Sequence, residues 1–349
     1  MNQIKVVQVS YITDKGRQLA EKLFSENSDI LAEIKSEDEK LSDFFKRCFE
    51  EHQPIVFIGA VGIAVRLLSP CIQNKLKDIP VVVIDELGHF VIPILSGHYG
   101  GGNDLAALLA KRIGATAVIT TATDINRAFA IDVFARKNGL VISEKEKIKK
   151  ISSKVLRGEK VRFICDLKEK EFVGEAPVEL SEINMNLQND GTGLLCIPDF
   201  YIGDEKEKKL FDDALFLYPK RMVLGMGCKK GKSFEQLKAF VLEQYDEEEL
   251  SKNLYAICSI DVKSSEIGLL KLCQYFGVKL ITFSSEELEK AEGNFEESDF
   301  VKSKVGVGNV CERAAVLGAG QGAGLLKTKT SRDGMTLAEA KRRMITITW

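Results

Sequence analysis

The sequence is poor in the residues on which metal-binding and many hydrolytic sites depend. Among 349 residues there are only three histidines, and the eight cysteines form no CxxC pair. Three histidines leave little material for a bound metal, and scattered thiols do not indicate a zinc or iron–sulfur site. Most of the cysteines lie in apolar runs. This distribution instead predicts reduced, buried thiols in a cytoplasmic protein without a metal of its own.

Long apolar runs and an excess of charge of one sign are also missing. The first apolar run, residues 6–9, has only the length of a strand, so we expect neither a signal peptide nor a membrane span. The net charge of −2 provides no general basic field for binding nucleic acid. The chain is 45% hydrophobic and 29% charged, and its length predicts a soluble globular protein of two or three domains.

Strand and helix patterns alternate towards both ends of the chain, with a weakly patterned stretch between them. The alternation predicts an α/β protein with two layered domains, 1–142 and 220–349, joined by a small middle region, 143–219. Each of the two sheets is expected to be mainly parallel. Two apolar strands, 81–84 and 90–95, flank a polar tetrapeptide and predict a hairpin.

The most informative stretch is the glycine-rich turn from Ser96 to Gly102, between an apolar strand and a helix. Consecutive glycines let the backbone approach a ligand, and the start of a helix offers N–H groups to an anion. His98 adds an imidazole, the side-chain type whose ordinary pKa lies nearest to neutral pH. Lone histidines are usually structural, but this setting makes a catalytic His98 equally well supported. Carboxylates at a hairpin tip, Asp85 and Glu86, are more often solvated than catalytic.

A second polar turn lies in the C-terminal part, where Lys229, Lys230 and Lys232 precede a helix. Its glycines imitate a nucleotide-binding P-loop, but the spacing before the Gly-Lys-Ser triplet is three or five residues where four are needed. Residues 318–324 imitate a dinucleotide fingerprint, but they follow a helix, so a flexible loop is the better interpretation. The lysine turn suits a ligand with carboxylates, and a solvated loop is the alternative.

Eight motifs, in one order along the chain, resemble the CbiG family of cobalamin biosynthesis proteins. The resemblance covers nearly the whole chain and is weakest in the middle, and its C-terminal part is similar to CobE. One departure is Gly102, where the family usually has alanine. The motifs are GAVGIAVR (59–66), DELGHFVIP (85–93), SGHYGGGN (96–103), AVITTATD (117–124), GMGCKKG (225–231), SIDVK (259–263), GVGNVCE (306–312) and LLKTK (325–329).

This resemblance implies a cobalt-precorrin-5A hydrolase activity. Such an enzyme opens the δ-lactone of a cobalt tetrapyrrole with water and releases acetaldehyde, which gives cobalt-precorrin-5B. The substrate carries the cobalt, so no further cofactor is expected, and neither nucleic acid nor a membrane is an expected partner. Other corrin-pathway enzymes are candidate partners and an oligomer stays open. The alternative function is a carrier that passes tetrapyrroles between enzymes. The family pattern also implies a strand, not a helix, over 335–343.

For the site, our hypothesis is that His98 or Glu86 activates water, with Asp104 as a third catalytic candidate. The N–H groups from Gly100 to Asp104 would hold the oxyanion. A cleft between domains is the preferred location, although the sequence does not choose one. Candidate substrate-binding residues are Arg66, Gly97, Gly100, Gly101, Gly102, Asn103, Thr121, Lys229, Lys230, Lys232, Lys263, Lys327 and Lys329.

Overall fold

The computed structural model describes residues 4–25, 30–74, 78–98, 100–121, 128–183, 197–204 and 211–349. The mixed α/β class predicted from the sequence is confirmed. The strands are Val6–Tyr11 (β1), Leu31–Ile34 (β2), Ile55–Ile58 (β3), Val81–Ile84 (β4), Phe90–Leu95 (β5), Thr116–Ala117 (β6), Leu140–Ile142 (β7), Val161–Cys165 (β8), Lys170–Val173 (β9), Leu180–Glu182 (β10), Phe200–Ile202 (β11), Leu215–Pro219 (β12), Met222–Cys228 (β13), Leu254–Ile260 (β14), Lys279–Phe283 (β15), Leu325–Arg332 (β16), Met335–Lys341 (β17) and Ile345–Thr348 (β18).

The helices are Asp14–Leu23 (α1), Leu41–Glu50 (α2), Val61–Leu68 (α3), Gly102–Ile113 (α4), Ile131–Asn138 (α5), Ile148–Leu156 (α6), Phe234–Leu242 (α7), Glu247–Asn253 (α8), Ile267–Tyr275 (α9), Ser285–Glu289 (α10), Asp299–Val305 (α11) and Cys311–Ala319 (α12). Within the described residues, no helix has the length and apolar character needed to cross a membrane. The chain forms two compact units, 1–126 with 265–277 and 127–264 with 278–349.

The first unit contains a six-stranded sheet in the order β2-β1-β3-β4-β5-β6. Strands β1 to β4 are parallel, which confirms the mainly parallel sheet. Strand β5 pairs antiparallel with β4, which confirms the predicted hairpin, and β6 runs parallel to β5. Strand β5 therefore ends at the edge of the sheet where the first four strands begin, and β6 runs in the same direction beside the first two residues of β5.

The first unit also includes a helix from far along the chain. The side chain of Gln274 in α9 accepts a hydrogen bond from the Val6 N–H (2.8 Å) and donates to the Val6 carbonyl (3.1 Å). One turn earlier, the ammonium of Lys271 lies 3.0 Å from Glu33 and 3.5 Å from Glu51. These contacts satisfy backbone groups at the start of β1, so the first unit is completed by a segment remote in sequence.

The second unit contains two sheets, ordered β10-β8-β11-β12-β7 and β15-β14-β13-β17-β16. Strands β16 and β17 pair antiparallel, so the strand expected in the tail, in place of a helix, is confirmed. Helix α12 packs directly on β13. The contact is so close that a Cβ atom on Gly225 would lie 1.8 Å from the Cys311 carbonyl oxygen. Glycine at this position allows the close approach of helix and sheet.

The last strand, β18, packs in the middle region of the chain. The sequence did not predict this strand pairing. Strand β18 pairs parallel with β9 and buries Ile345 and Ile347 completely. Trp349 stacks on Phe134 with ring centroids 5.1 Å apart. The side-chain amide of Asn138 bonds both to the N–H (2.6 Å) and to the carbonyl (3.0 Å) of Thr348. The middle region thus has a core to which the far end of the sequence contributes.

We expect Ile347→Ala to lower the free energy of unfolding by about 3 kcal/mol, because it removes buried methyl groups and leaves a cavity. Thr346 is the matched control, since its side chain is only half-buried in the same strand, and Thr346→Ala should change stability far less. Denaturant unfolding of both variants measures the difference. If the loss of stability in Ile347→Ala is as small as the change expected for Thr346→Ala, β18 contributes little to the core.

Candidate active site

The turn that carries His98 connects β5 to α4. Because β5 is antiparallel to β4, the turn lies at the edge where β1 to β4 begin. Strand β6 is parallel to β5 and pairs with its first two residues, and the chain then continues towards the turn, where Thr121 bonds to Asn103. The segment β5–α4–β6 is therefore a parallel βαβ unit of its own. Its turn lies at the carboxyl end of β5, the kind of position where α/β folds bind ligands.

Close packing explains several glycines of this turn. A Cβ atom on Gly97 would lie 2.3 Å from the side-chain oxygen of Asn103, and one on Gly100 would lie 2.7 Å from the Cβ of Ser96. Gly101 has φ of 87°, which favours glycine. A Cβ on Gly102 would be 3.2 Å from the Ser96 carbonyl oxygen. Turn packing accounts for these residues, and their role in substrate binding stays a prediction.

Some of the N–H groups expected to hold an oxyanion already donate hydrogen bonds to carbonyls within the turn. The N–H of Gly102 donates to the Ser96 carbonyl (3.2 Å), and the N–H of Asn103 donates to the Gly97 carbonyl (2.8 Å). This corrects the expectation that all N–H groups from Gly100 to Asp104 act together. Among the described residues, the Asp104 N–H has no acceptor, so it can still donate to an anion.

The side chains around the turn differ in what they can do. His98 is half-buried. Asn103 is buried, and its amide donates to the hydroxyl of Thr121 at 3.2 Å, which ties the start of α4 to the segment after β6. Asp104 is exposed in the first turn of α4. A carboxylate there interacts favourably with the helix dipole, so Asp104 has a structural explanation.

Glu86 lies at the opposite edge of the same sheet, in the turn between β4 and β5. Its carboxylate is exposed and accepts a hydrogen bond from the Thr13 hydroxyl at 2.9 Å. Its neighbour Asp85 accepts bonds from the N–H groups of Leu87 (3.0 Å) and Phe90 (2.6 Å), which shapes the hairpin. Asp85 therefore has a structural role, and Glu86 is the available carboxylate at this edge.

The structure thus separates the two candidates for the catalytic base. Glu86 precedes β5 and His98 follows it, and a six-residue strand spans roughly 20 Å. The two side chains cannot act on the same carbonyl carbon. A single base that activates the attacking water can therefore lie at only one of the two edges.

Thr13 is a residue of the Glu86 edge that the sequence analysis missed. Its hydroxyl oxygen also accepts the Gly16 N–H at 3.1 Å and so caps α1. A threonine before a helical pattern is a recognised N-terminal signal, which would have identified the cap although not its contact with Glu86. Arg66, in α3, is exposed and donates to the Gly62 carbonyl at 3.2 Å. Its guanidinium has no carboxylate partner among the described residues.

The turn after β13 contains three lysines whose ammonium groups have no nearby carboxylate among the described residues. Lys229 and Lys230 are exposed and Lys232 is half-buried. No carboxylate of the described residues lies within 4.0 Å of their ammonium groups. The turn is held in place by the backbone, because the Lys229 N–H donates to the Gly334 carbonyl at 2.9 Å. These ammonium groups are therefore available to a ligand with carboxylates.

The remaining candidate lysines differ from these three in their partners or in their exposure. Lys327 lies 3.7 Å from Glu339 and over the ring of Tyr245, and Lys329 lies 3.2 Å from Glu296. These two ammonium groups already have partners. Burial, with the nearby Glu339 carboxylate, raises the pKa of the Tyr245 hydroxyl. Lys263 is half-buried in the 3₁₀ turn after β14.

Three family models match this chain in the order of the sequence. They are cobalamin synthesis G N-terminal at residues 43–124, cobalamin biosynthesis central region at 129–219 and cobalamin synthesis G C-terminus at 222–340. All three models describe regions of cobalamin biosynthesis proteins, and together they cover most of the chain.

Individual proteins agree with the family models. The cobalt-precorrin-5A hydrolase of Salmonella typhimurium is 34% identical over 84% of this chain and 83% of its own length. The cobalt-precorrin-5A hydrolase of Priestia megaterium is 31% identical over 78% of this chain and 74% of its own length. A crystal structure of CobE, a protein from the cobalamin (vitamin B12) biosynthetic pathway, matches 34% of this chain and 89% of its own at 31% identity and a TM-score of 0.32. The three family models and the two hydrolases show that the chain belongs to the CbiG family of cobalamin biosynthesis proteins.

Proposed function

We propose that this protein is a cobalt-precorrin-5A hydrolase. The observation that carries the proposal is the identity of 34% with the Salmonella typhimurium protein of that name, over 83% of its length. The reaction opens the δ-lactone of the cobalt tetrapyrrole with water and then releases acetaldehyde. The cobalt enters and leaves with the macrocycle, so the protein supplies binding groups, a base and hydrogen-bond donors.

The reaction makes two demands on the protein. In lactone opening, a base takes a proton from water while the oxygen adds to the carbonyl carbon, and the oxyanion needs hydrogen-bond donors. The ring C–O bond then breaks and the leaving oxygen takes a proton. In the second step, the alcohol loses its proton, the C–C bond breaks to give acetaldehyde, and the macrocycle takes up the electron pair.

We assign the base to His98, at the glycine turn. An imidazole is suited to take a proton near neutral pH. The N–H of Asp104, which has no acceptor among the described residues, lies in the same turn and can donate to the oxyanion. Glu86, at the far edge of the sheet, is the alternative base, and mutation distinguishes the two.

We assign the substrate carboxylates to Lys229, Lys230 and Lys232. A macrocycle with several acetate and propionate groups needs local cations, and a chain with a net charge of −2 can supply them only in such clusters.

We also propose that the enzyme acts in the cytoplasm. The seven described cysteines are free thiols, and five of them are buried, as expected for a reducing compartment.

We expect His98→Ala to lower kcat by roughly 10²–10⁴-fold, because a general base is lost. Glu86→Gln should cost less than about tenfold. The assay is an anaerobic incubation with cobalt-precorrin-5A in which acetaldehyde is trapped and the product mass is recorded. A large loss in Glu86→Gln, with little effect in His98→Ala, would move the base to the opposite edge. If the wild-type protein binds substrate but releases no acetaldehyde above the no-protein control, the protein is a carrier.

The double variant Lys229→Met, Lys230→Met should raise KM about tenfold with little change in kcat, because it removes binding that is equal in the ground and transition states. Lys252→Met is the matched control. Lys252 is an exposed lysine that pairs with Glu248 on α8, and its replacement removes the same kind of charge. Steady-state kinetics at several ionic strengths measures the effect. An unchanged KM in the double variant would leave the lysine turn as a solvated loop.

A further inference from the structure

Ser96 has an unusual backbone conformation for which the fold gives no local reason. Among the described residues, three non-glycine residues have positive φ: His52 (53°), Ser96 (47°) and Asp333 (50°). His52 lies two residues after α2, a position that often adopts this conformation. Asp333 and Gly334 form the two-residue turn between β16 and β17, which requires positive φ at both positions. Ser96 directly follows a strand, where neither explanation applies.

Several contacts hold Ser96 in this unfavourable conformation. Its hydroxyl donates to the carbonyl of Asp78, in the segment that leads into β4. Asp78 is itself buried and accepts bonds from the N–H groups of Gln73 (2.9 Å) and Asn74 (3.2 Å). The Ser96 carbonyl accepts the first N–H of α4, and Gly100 packs against the Ser96 side chain. Backbone strain persists only where surrounding contacts impose it, and it is common at functional sites.

The strained residue determines how the chain enters the turn that carries His98. Ser96 and Gly97 have their carbonyls fixed by the first two N–H groups of α4. His98 is the next residue, so the direction of its side chain follows from the backbone of these two. A relaxed Ser96 would point the following residues elsewhere. The hydroxyl of Ser96 is used in the bond to Asp78, so it does not serve as a nucleophile.

We propose that Ser96 is a positioning residue whose strained backbone aims the imidazole of His98 at the reacting carbonyl. This inference rests on the proposed function for the reaction, but the orientation of His98 can be measured without turnover. Proteins keep such conformations at a cost in stability when activity depends on them. A residue with a purely structural role would instead change stability and leave the folded enzyme's activity intact.

The test compares Ser96→Gly with Ser96→Ala. Glycine adopts positive φ without strain, so the backbone is free to relax, whereas alanine keeps the strain and removes the same hydroxyl. We expect Ser96→Gly to have a melting temperature at or above that of Ser96→Ala. Its kcat should fall roughly 10- to 100-fold with KM nearly unchanged, as expected when a catalytic group is misplaced. A kcat within twofold of wild type in Ser96→Gly would overturn the proposal.

Asp333→Gly is the matched control, since it removes the same kind of positive-φ side chain from a hairpin of the second unit, whereas the glycine turn belongs to the first. Because the adjacent Gly334 carbonyl accepts the Lys229 N–H of the lysine turn, this control is read by kcat and the His98 signal and not by KM. It should leave kcat unchanged. A second readout uses the three histidines, whose imidazole NMR signals are few enough to assign with His98→Ala. In Ser96→Gly the chemical shifts of the His98 imidazole should move, and in Asp333→Gly they should not. An unmoved His98 signal rejects the positioning role even if activity falls. A moved signal in a protein without hydrolase activity supports the positioning role and rejects only the proposed function.

Discussion

The antiparallel pairing of β5 with β4 is the constraint on which the N-terminal site depends. Had β5 been parallel, its carboxyl end and that of β4 would lie at one edge, and Glu86 and His98 could share a ligand. The hairpin instead sends the next turn to the far edge of the sheet. The connection from β5 to α4 therefore places a strand carboxyl end and a helix start at that edge. One sheet therefore offers two chemically different edges.

The turn at the second edge is built mainly by its own internal contacts. The first two N–H groups of α4 donate to the carbonyls of Ser96 and Gly97, and a Cβ atom on Gly97 or Gly100 would lie within 3.0 Å of its neighbours. Two of the five N–H groups from Gly100 to Asp104 are used in this way, so in the proposed reaction the oxyanion would rely on the others, and catalysis would depend on the direction of His98. Rigidity matters here because a general base must be held at hydrogen-bond distance from its proton.

The parts of the fold that were predictable are those encoded locally. The hairpin and the mainly parallel sheet follow from apolar runs and turn residues, and the strand β17 from its resemblance to the family. The pairing of β18 with β9 and the bonds of Gln274 to Val6 join residues far apart in sequence. No periodicity in a single sequence signals such partners. The opposite positions of Glu86 and His98 follow from the predicted hairpin, because strand β5 lies between them in the sequence.

The lysines show why composition alone could not identify the binding residues. Lys229 and Lys327 are both exposed and both lie in motifs that resemble the family, so the sequence treats them alike. In the fold, Lys327 is placed over the Tyr245 ring near the buried carboxylate of Glu339, while Lys229 has no carboxylate partner among the described residues. A cation that already has a buried partner would lose that interaction on binding a ligand. An ammonium without a carboxylate partner gives up only hydration, which is the physical reason for proposing the turn after β13, and not Lys327, as a site for substrate carboxylates.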